Sequence, residues 1–131
     1  IYSTFPIERI IENGFATAMV YNGDIMQDRN DFSQGLGSCF IRKSAEYDSL
    51  AADSYAANVL REEHQGGMIS VWAYGAMRIM DYLYTVDKID RRRIAIAGHS
   101  RLGKTALWTA ANDERYTLAF ISGSGNTGAS L

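Results

Sequence analysis

Only one cysteine, Cys39, stands in these 131 residues. That count excludes an internal disulfide and any cysteine-based metal site. A single proline and an apolar fraction of 47% leave no room for a Pro-rich linker or a low-complexity tail. Basic excess is also missing: 13 Lys and Arg face 15 Asp and Glu, a formal charge of −2, so nothing neutralises a phosphate backbone and nucleic-acid binding is not expected. The one dense cationic run, Arg91 to Arg93, precedes an apolar segment and reads as the solvated entrance to a strand. No apolar stretch approaches the roughly 18 residues that span a bilayer, and no signal-peptide pattern is visible. Internal repeats are absent too.

What remains is an alternation of hydrophobic periods. Pro6 followed by IERIIEN predicts a short helix with Ile7, Ile10 and Ile11 on one face and Asn13-Gly14 as its stop. FATAMVY, 15–21, is nearly continuous in apolar residues and predicts a strand buried on both faces of a parallel sheet, ending in Asn22-Gly23-Asp24. The polar stretch from Asp24 to about Gln65 reads as a covering loop with a surface helix. After Gly66-Gly67, the residues Ile69, Trp72, Ala76, Ile79, Met80 and Leu83 recur at helical spacing, so 68–85 should be a long helix packed on the sheet. Gly75 inside it costs about 1 kcal/mol relative to alanine, which points to close packing against a neighbour. RIAIA (93–97), RLGKTALWTAAND (101–113) and TLAFIS (117–122) complete a β, α, β, α, β order. Apolar strands in that order imply right-handed crossovers and a parallel sheet, with a site at the carboxyl ends of the strands, where Asp24, the 98–101 turn and the 122–128 loop emerge.

Three motifs compete in this region. GHSRLGKT, 98–105, satisfies G-x-x-x-x-G-K-[ST], but a phosphate-binding loop wants an acid for Mg²⁺ at the end of a neighbouring strand, and TLAFIS ends in serine and glycine. GSGNTG, 123–128, fits G-x-G-x-x-G, yet the helix, second strand and ribose-binding acid of a dinucleotide site do not follow. The third reading is a nucleophile elbow: strand, sharp turn, helix, with Ser100 in the turn and Gly98 two residues before it, where a side chain would crowd the turn. Leu102 stands where G-x-S-x-G has its second glycine, which arrives instead at Gly103. A serine that merely caps the helix is the alternative. His99 reads as packed beneath the turn and His64 as a solvated helix-end residue.

The strings DRRRIAIAGHSRLGKTALWTAANDERYTLAFISGSG and ISVWAYGAMRIMDYL closely resemble the glucuronoyl esterases of carbohydrate esterase family 15, also labelled acetyl xylan esterase-like. Their elbow reads G-[CH]-S-R-x-G-K, matched at every fixed position from Gly98 to Lys104, with the later glycine included. The resemblance spans roughly residues 8 to 25 and 66 to 128. It implies an α/β-hydrolase fold, a parallel-sheet portion with helices on both faces. Ser100 is then the nucleophile, Arg101 the oxyanion-stabilising arginine, and Lys104 the lysine that binds uronic-sugar hydroxyls. It also implies a plant cell-wall glucuronoxylan ester as substrate and no metal or organic cofactor. Relatives are commonly secreted. Where some members carry the acid of the triad, this chain has Ile121, so the acid is expected elsewhere, and the triad histidine is expected downstream. Residues 1–131 are thus expected to be the central part of a single catalytic domain, incomplete at both ends. An acetyl xylan esterase with the same Ser100 chemistry, a noncatalytic carbohydrate binder, and a nucleotide-binding protein using 98–105 are the alternatives.

Overall fold

The computed structural model describes residues 5–29, 32, 34–39 and 66–125. Helix α1 spans Ile7–Glu12 and closes on Gly14, whose φ of 82° lets its N–H reach Ile11 O (2.9 Å) while Phe15 N–H reaches Ile10 O (3.2 Å). This paired closure is the stop that Asn13-Gly14 predicts, since glycine enters the left-handed region without steric cost. None of the isoleucines of α1 is buried. The segment 15–21 corrects the first expected strand: it is exposed and forms no ladder among the described residues, with Met19 and Tyr21 61% and 71% accessible. An apolar run becomes a strand only where neighbouring strands accept its backbone bonds, and neither described strand pairs with 15–21.

Helix α2, Asn22–Ile25, and a 3₁₀ turn, Gly35–Cys39, follow. Helix α3 runs over Met68–Leu83, and its inward stripe of Val71, Trp72, Ala73 and Met80 is fully buried. Gly75 lies on that stripe for a steric reason, because a Cβ there would sit 2.6 Å from Ile25 Cδ1. Close packing against α2 is what the glycine permits.

Strand β1, Ala95–His99, helix α4, Arg101–Asn112, and strand β2, Leu118–Ser122, form one parallel β-α-β unit. The two strands are parallel, with Ala95 opposite Leu118 and His99 opposite Ser122. Ile96, half-buried, and Ala110 pack against the buried cluster of Met80, Ile94 and Tyr116, so α4 covers this face of the strands with α3 packed against it. On the other face Leu118 and Phe120 are 64% and 65% accessible, so the described helices cover one side of the sheet.

An ionic clamp ties α3 to the connection after α4. Arg115 donates from Nε and Nη2 to the two carboxylate oxygens of Asp113 (2.7 and 2.6 Å) and from Nη1 to Asp81 (2.7 Å). The Asp113 side chain is 7% exposed, and the Arg115 fork holds its carboxyl below the usual carboxylate range against the opposing effect of burial. The neighbouring Tyr116 donates its hydroxyl to Ala76 O (2.7 Å), and burial pushes its pKa up to about 12.

Candidate active site

The turn between β1 and α4 is a single residue. β1 ends at His99, α4 begins at Arg101, and Ser100 between them has φ 57° and ψ −124°. It is the only non-glycine residue with positive φ among the described ones. Such a conformation costs a serine on the order of 1–3 kcal/mol and persists only where the surroundings enforce it. Here they do: Ser100 N–H donates to Ser122 O of the adjacent strand (2.8 Å), and Ser100 O accepts the first helical bond from Lys104 N–H (3.2 Å). Its side chain makes no cap hydrogen bond, which separates it from an ordinary helix-capping serine. The hydroxyl is presented, exposed, at the end of the strand.

Both elbow glycines have steric causes. A Cβ on Gly98 would lie 2.0 Å from Leu102 O and 2.4 Å from Leu102 C, both backbone atoms of the first helical turn. A Cβ on Gly103 would lie 3.0 Å from Ser122 O and 3.1 Å from Ser124 Cβ. The second glycine therefore belongs where α4 crosses the end of β2. In this turn that is position 103, not 102.

A cleft of about 190 Å³ opens at Ser100, lined by Asn22, Asp28, Trp72, His99, Arg101 and Leu102. A larger, mostly apolar cleft of about 530 Å³ adjoins it, lined by Gly67, Met68, Ile69, Ser70 and Trp108 and sharing Asp28, Trp72 and Arg101. Arg101 Nη1 donates to Asp28 Oδ1 at 2.6 Å, so this ion pair stands at the boundary of the two clefts. Lys104, half-buried one turn into α4, forms no ion pair among the described residues. Because the first helical bond starts at Lys104, the N–H groups of Arg101, Leu102 and Gly103 have no acceptor within the helix. They make the mouth of α4 electropositive beside the serine.

His99 corrects its sequence reading. It is exposed, not packed beneath the turn, and its Nδ1 lies 3.3 Å from Ser122 Oγ, its partner across the parallel pair. Strand alternation puts residue 99 on the open sheet face with Ala95 and Ala97. Asp24 is exposed on α2, and the acid that reaches the site is Asp28, four residues later. Asp28 goes unnamed in the sequence reading, where Asn22 stands only as the end of a strand and Trp72 only as a core residue of a helix. The available signal was the general tendency of long connections after strands to carry sites. His64 and the last three residues of GSGNTG lie outside the described residues. No group of three His, Cys, Asp or Glu suited to a metal ion occurs among the described residues, and no helix of theirs is long and apolar enough to cross a membrane.

The family described as glucuronyl esterase, fungi, matches residues 42–131. The chain belongs to the glucuronoyl esterases, carbohydrate esterase family 15. It is 38% identical over 127 residues to the carbohydrate esterase MZ0003 of an unknown prokaryotic organism, covering 97% of this chain and 26% of that protein. It is 36% identical over 130 residues to the 4-O-methyl-glucuronoyl methylesterase of Thermothelomyces thermophilus, covering 95% of this chain and 30% of that one. Among solved structures, a promiscuous family 15 esterase from a marine bacterial metagenome superposes with a TM-score of 0.69 at 37% identity, over 95% of this chain and 28% of its own. The fold of this glucuronoyl esterase segment is accordingly α/β-hydrolase. It spans between a quarter and a third of the length of these relatives.

Proposed function

We propose that this chain is the central part of one α/β-hydrolase catalytic domain that cleaves glucuronoyl esters of xylan through an acyl-enzyme on Ser100. The observation that carries the reading is Ser100 itself, a strained, uncapped serine at the mouth of a helix, beside a cleft walled by a cation. The names of the matching relatives, glucuronoyl methylesterases among them, support the ester class.

In this mechanism Ser100 Oγ attacks the ester carbonyl as its proton passes to a base, and the tetrahedral oxyanion collapses to expel the alcohol, which takes that proton back. Water then hydrolyses the acyl-enzyme by the same route and releases the uronate. The oxyanion is met by the Arg101 backbone N–H and guanidinium, donors set in place before charge develops. Lys104 binds the sugar hydroxyls. His99 lies at the rim of the cleft with its Nδ1 on Ser122 Oγ, and we assign the general base to the rest of the domain.

The test is hydrolysis of benzyl glucuronate by the complete protein that carries this chain. Turnover is expected, and Ser100→Ala should abolish it without unfolding the protein. Arg101→Ala should lower kcat by roughly 10². Lys104→Ala should mainly raise KM for uronate esters and spare simple acetyl esters. A fully active alanine variant at Ser100 would end this reading, and turnover of acetylated xylan alone would move the substrate class to acetyl esters.

A further inference from the structure

We propose that Asp28 is a positioning residue that holds the Arg101 guanidinium at the Ser100 cleft, an inference that rests on the esterase reading of Ser100 and Arg101. Arg101 is the first residue of α4 and its side chain is 64% exposed. An arginine with that freedom distributes its guanidinium over many rotamers, and ordering it during reaction would spend the stabilisation it offers an oxyanion. The 2.6 Å bond from its Nη1 to Asp28 Oδ1 removes that freedom beforehand.

Asp28 is itself held by a chain of buried contacts. Met26, two residues earlier, is 1% exposed and packs with Phe32, Val71 and Trp72. Its carbonyl accepts a 2.8 Å hydrogen bond from Trp72 Nε1, a buried contact between α3 and the segment after α2. Ile25 fills the space left by the missing side chain at Gly75. Rigidity thus passes from the α3 core through Met26 to Asp28, and across 73 residues of sequence to Arg101.

The pairing uses one of the five guanidinium N–H groups, so four remain for a carbonyl oxygen or a uronate. A carboxylate at this distance also offsets part of the positive charge. Its gain is therefore in placement, and an uncharged acceptor of the same shape should serve nearly as well.

Three variants of the complete protein test this: Asp28→Ala, Asp28→Asn and the double variant Asp28→Ala/Arg101→Ala. Asp28→Ala is expected to lower kcat for benzyl glucuronate about 10-fold, since small misplacements of a catalytic group cost one to two orders of magnitude, with KM nearly unchanged. Asp28→Asn should restore most of that loss. The double variant should be no slower than Arg101→Ala, because Asp28 acts only through Arg101. Melting temperatures should stay within about 2 °C of the parent, as for a solvent-screened ion pair. A second measurement does not depend on turnover: phenylglyoxal modification of Arg101, followed by peptide mass mapping, should be several-fold faster in Asp28→Ala. Unchanged kcat, effects of the two alanine substitutions that multiply, or an unchanged modification rate overturns the proposal. If Arg101 modification accelerates while the parent hydrolyses no ester, the pairing holds but its catalytic purpose, and with it the esterase reading, falls.

Discussion

Alanine at Gly98 puts the elbow geometry to its most direct test. The added Cβ would lie 2.0 Å from Leu102 O, 2.4 Å from Leu102 C and 2.9 Å from Gly103 N, where ordinary contact begins at 3.4 Å. Every one of these atoms is backbone, so no rotamer change relieves the clash, and the first turn of α4 would have to retreat by more than an ångström. That turn carries Ser100 O to Lys104 N–H and lies against Ser122 through Gly103. Overpacking of a mobile side chain costs about 1–3 kcal/mol, and a backbone obstacle belongs at or above the upper end, so a loss of about 3 kcal/mol is expected. Displacing the serine by the same ångström should also lower kcat by about 10². Urea unfolding and ester turnover of the complete protein read both effects. Gly67→Ala is the internal control, because a Cβ there meets nothing within 4 Å. A Gly98→Ala variant as stable and as active as that control would refute the steric account of the elbow.

Three further predictions concern strain, the ionic clamp and pH. Ser100→Gly should raise unfolding stability by about 1 kcal/mol through release of the positive-φ strain while abolishing turnover, whereas Ser100→Ala loses turnover with no such gain; equal melting points for the two would remove the strain argument. Arg115→Ala leaves the nearly buried Asp113 carboxylate without its fork and should cost about 2–3 kcal/mol in urea titrations, with lysine at 115 restoring only part because it lacks the bidentate geometry. The Tyr116 pKa is raised to about 12 from an ordinary value of 10.0, so the neutral hydroxyl stabilises the fold below pH 10 and that contribution is lost as pH rises from 10 towards 12. Asp113 works the other way: its lowered pKa makes it stabilising above the ordinary carboxylate range and its contribution is lost as pH falls through that range and below. Stability against pH in Tyr116→Phe should lose the alkaline slope and keep the acid one.

Local and steric features of this fold were legible in the sequence, and long-range partnerships were not. Gly75 announced a close neighbour, and Ile25 is there. Gly14 announced a helix stop, and its φ of 82° makes one. The apolar periodicity read over 68–85 and 101–113 located both helices that flank the site, which run over Met68–Leu83 and Arg101–Asn112. By contrast, 15–21 has the composition of a buried strand but no ladder among the described residues, because composition states a preference and pairing supplies the bonds. Asp28 stayed invisible for a related reason. Nothing in MQDR marks it as the partner of an arginine 73 positions on, a relation that exists only once Trp72 has fixed the backbone at Met26.

GHSRLGKT shows how one string serves two chemistries, and how the backbone separates them. A phosphate-binding loop holds its ligand in a concave run of backbone N–H groups between strand and helix, so several residues must lie outside both elements. Here a single residue does: His99 closes β1 and Arg101 opens α4. The threonine that would have to reach Mg²⁺ in such a loop, Thr105, is 6% exposed and donates its hydroxyl to Arg101 O at 3.0 Å, a bond internal to the helix. Gly103, the second glycine of the pattern, is needed for the contact with Ser122 O and not for loop flexibility. Lysine one turn into a helix is compatible with either chemistry, so it discriminates nothing. The discriminating residue is Ser100, since a one-residue turn at φ 57° leaves its hydroxyl exposed at the end of the strand and provides no multi-residue cradle for a phosphate.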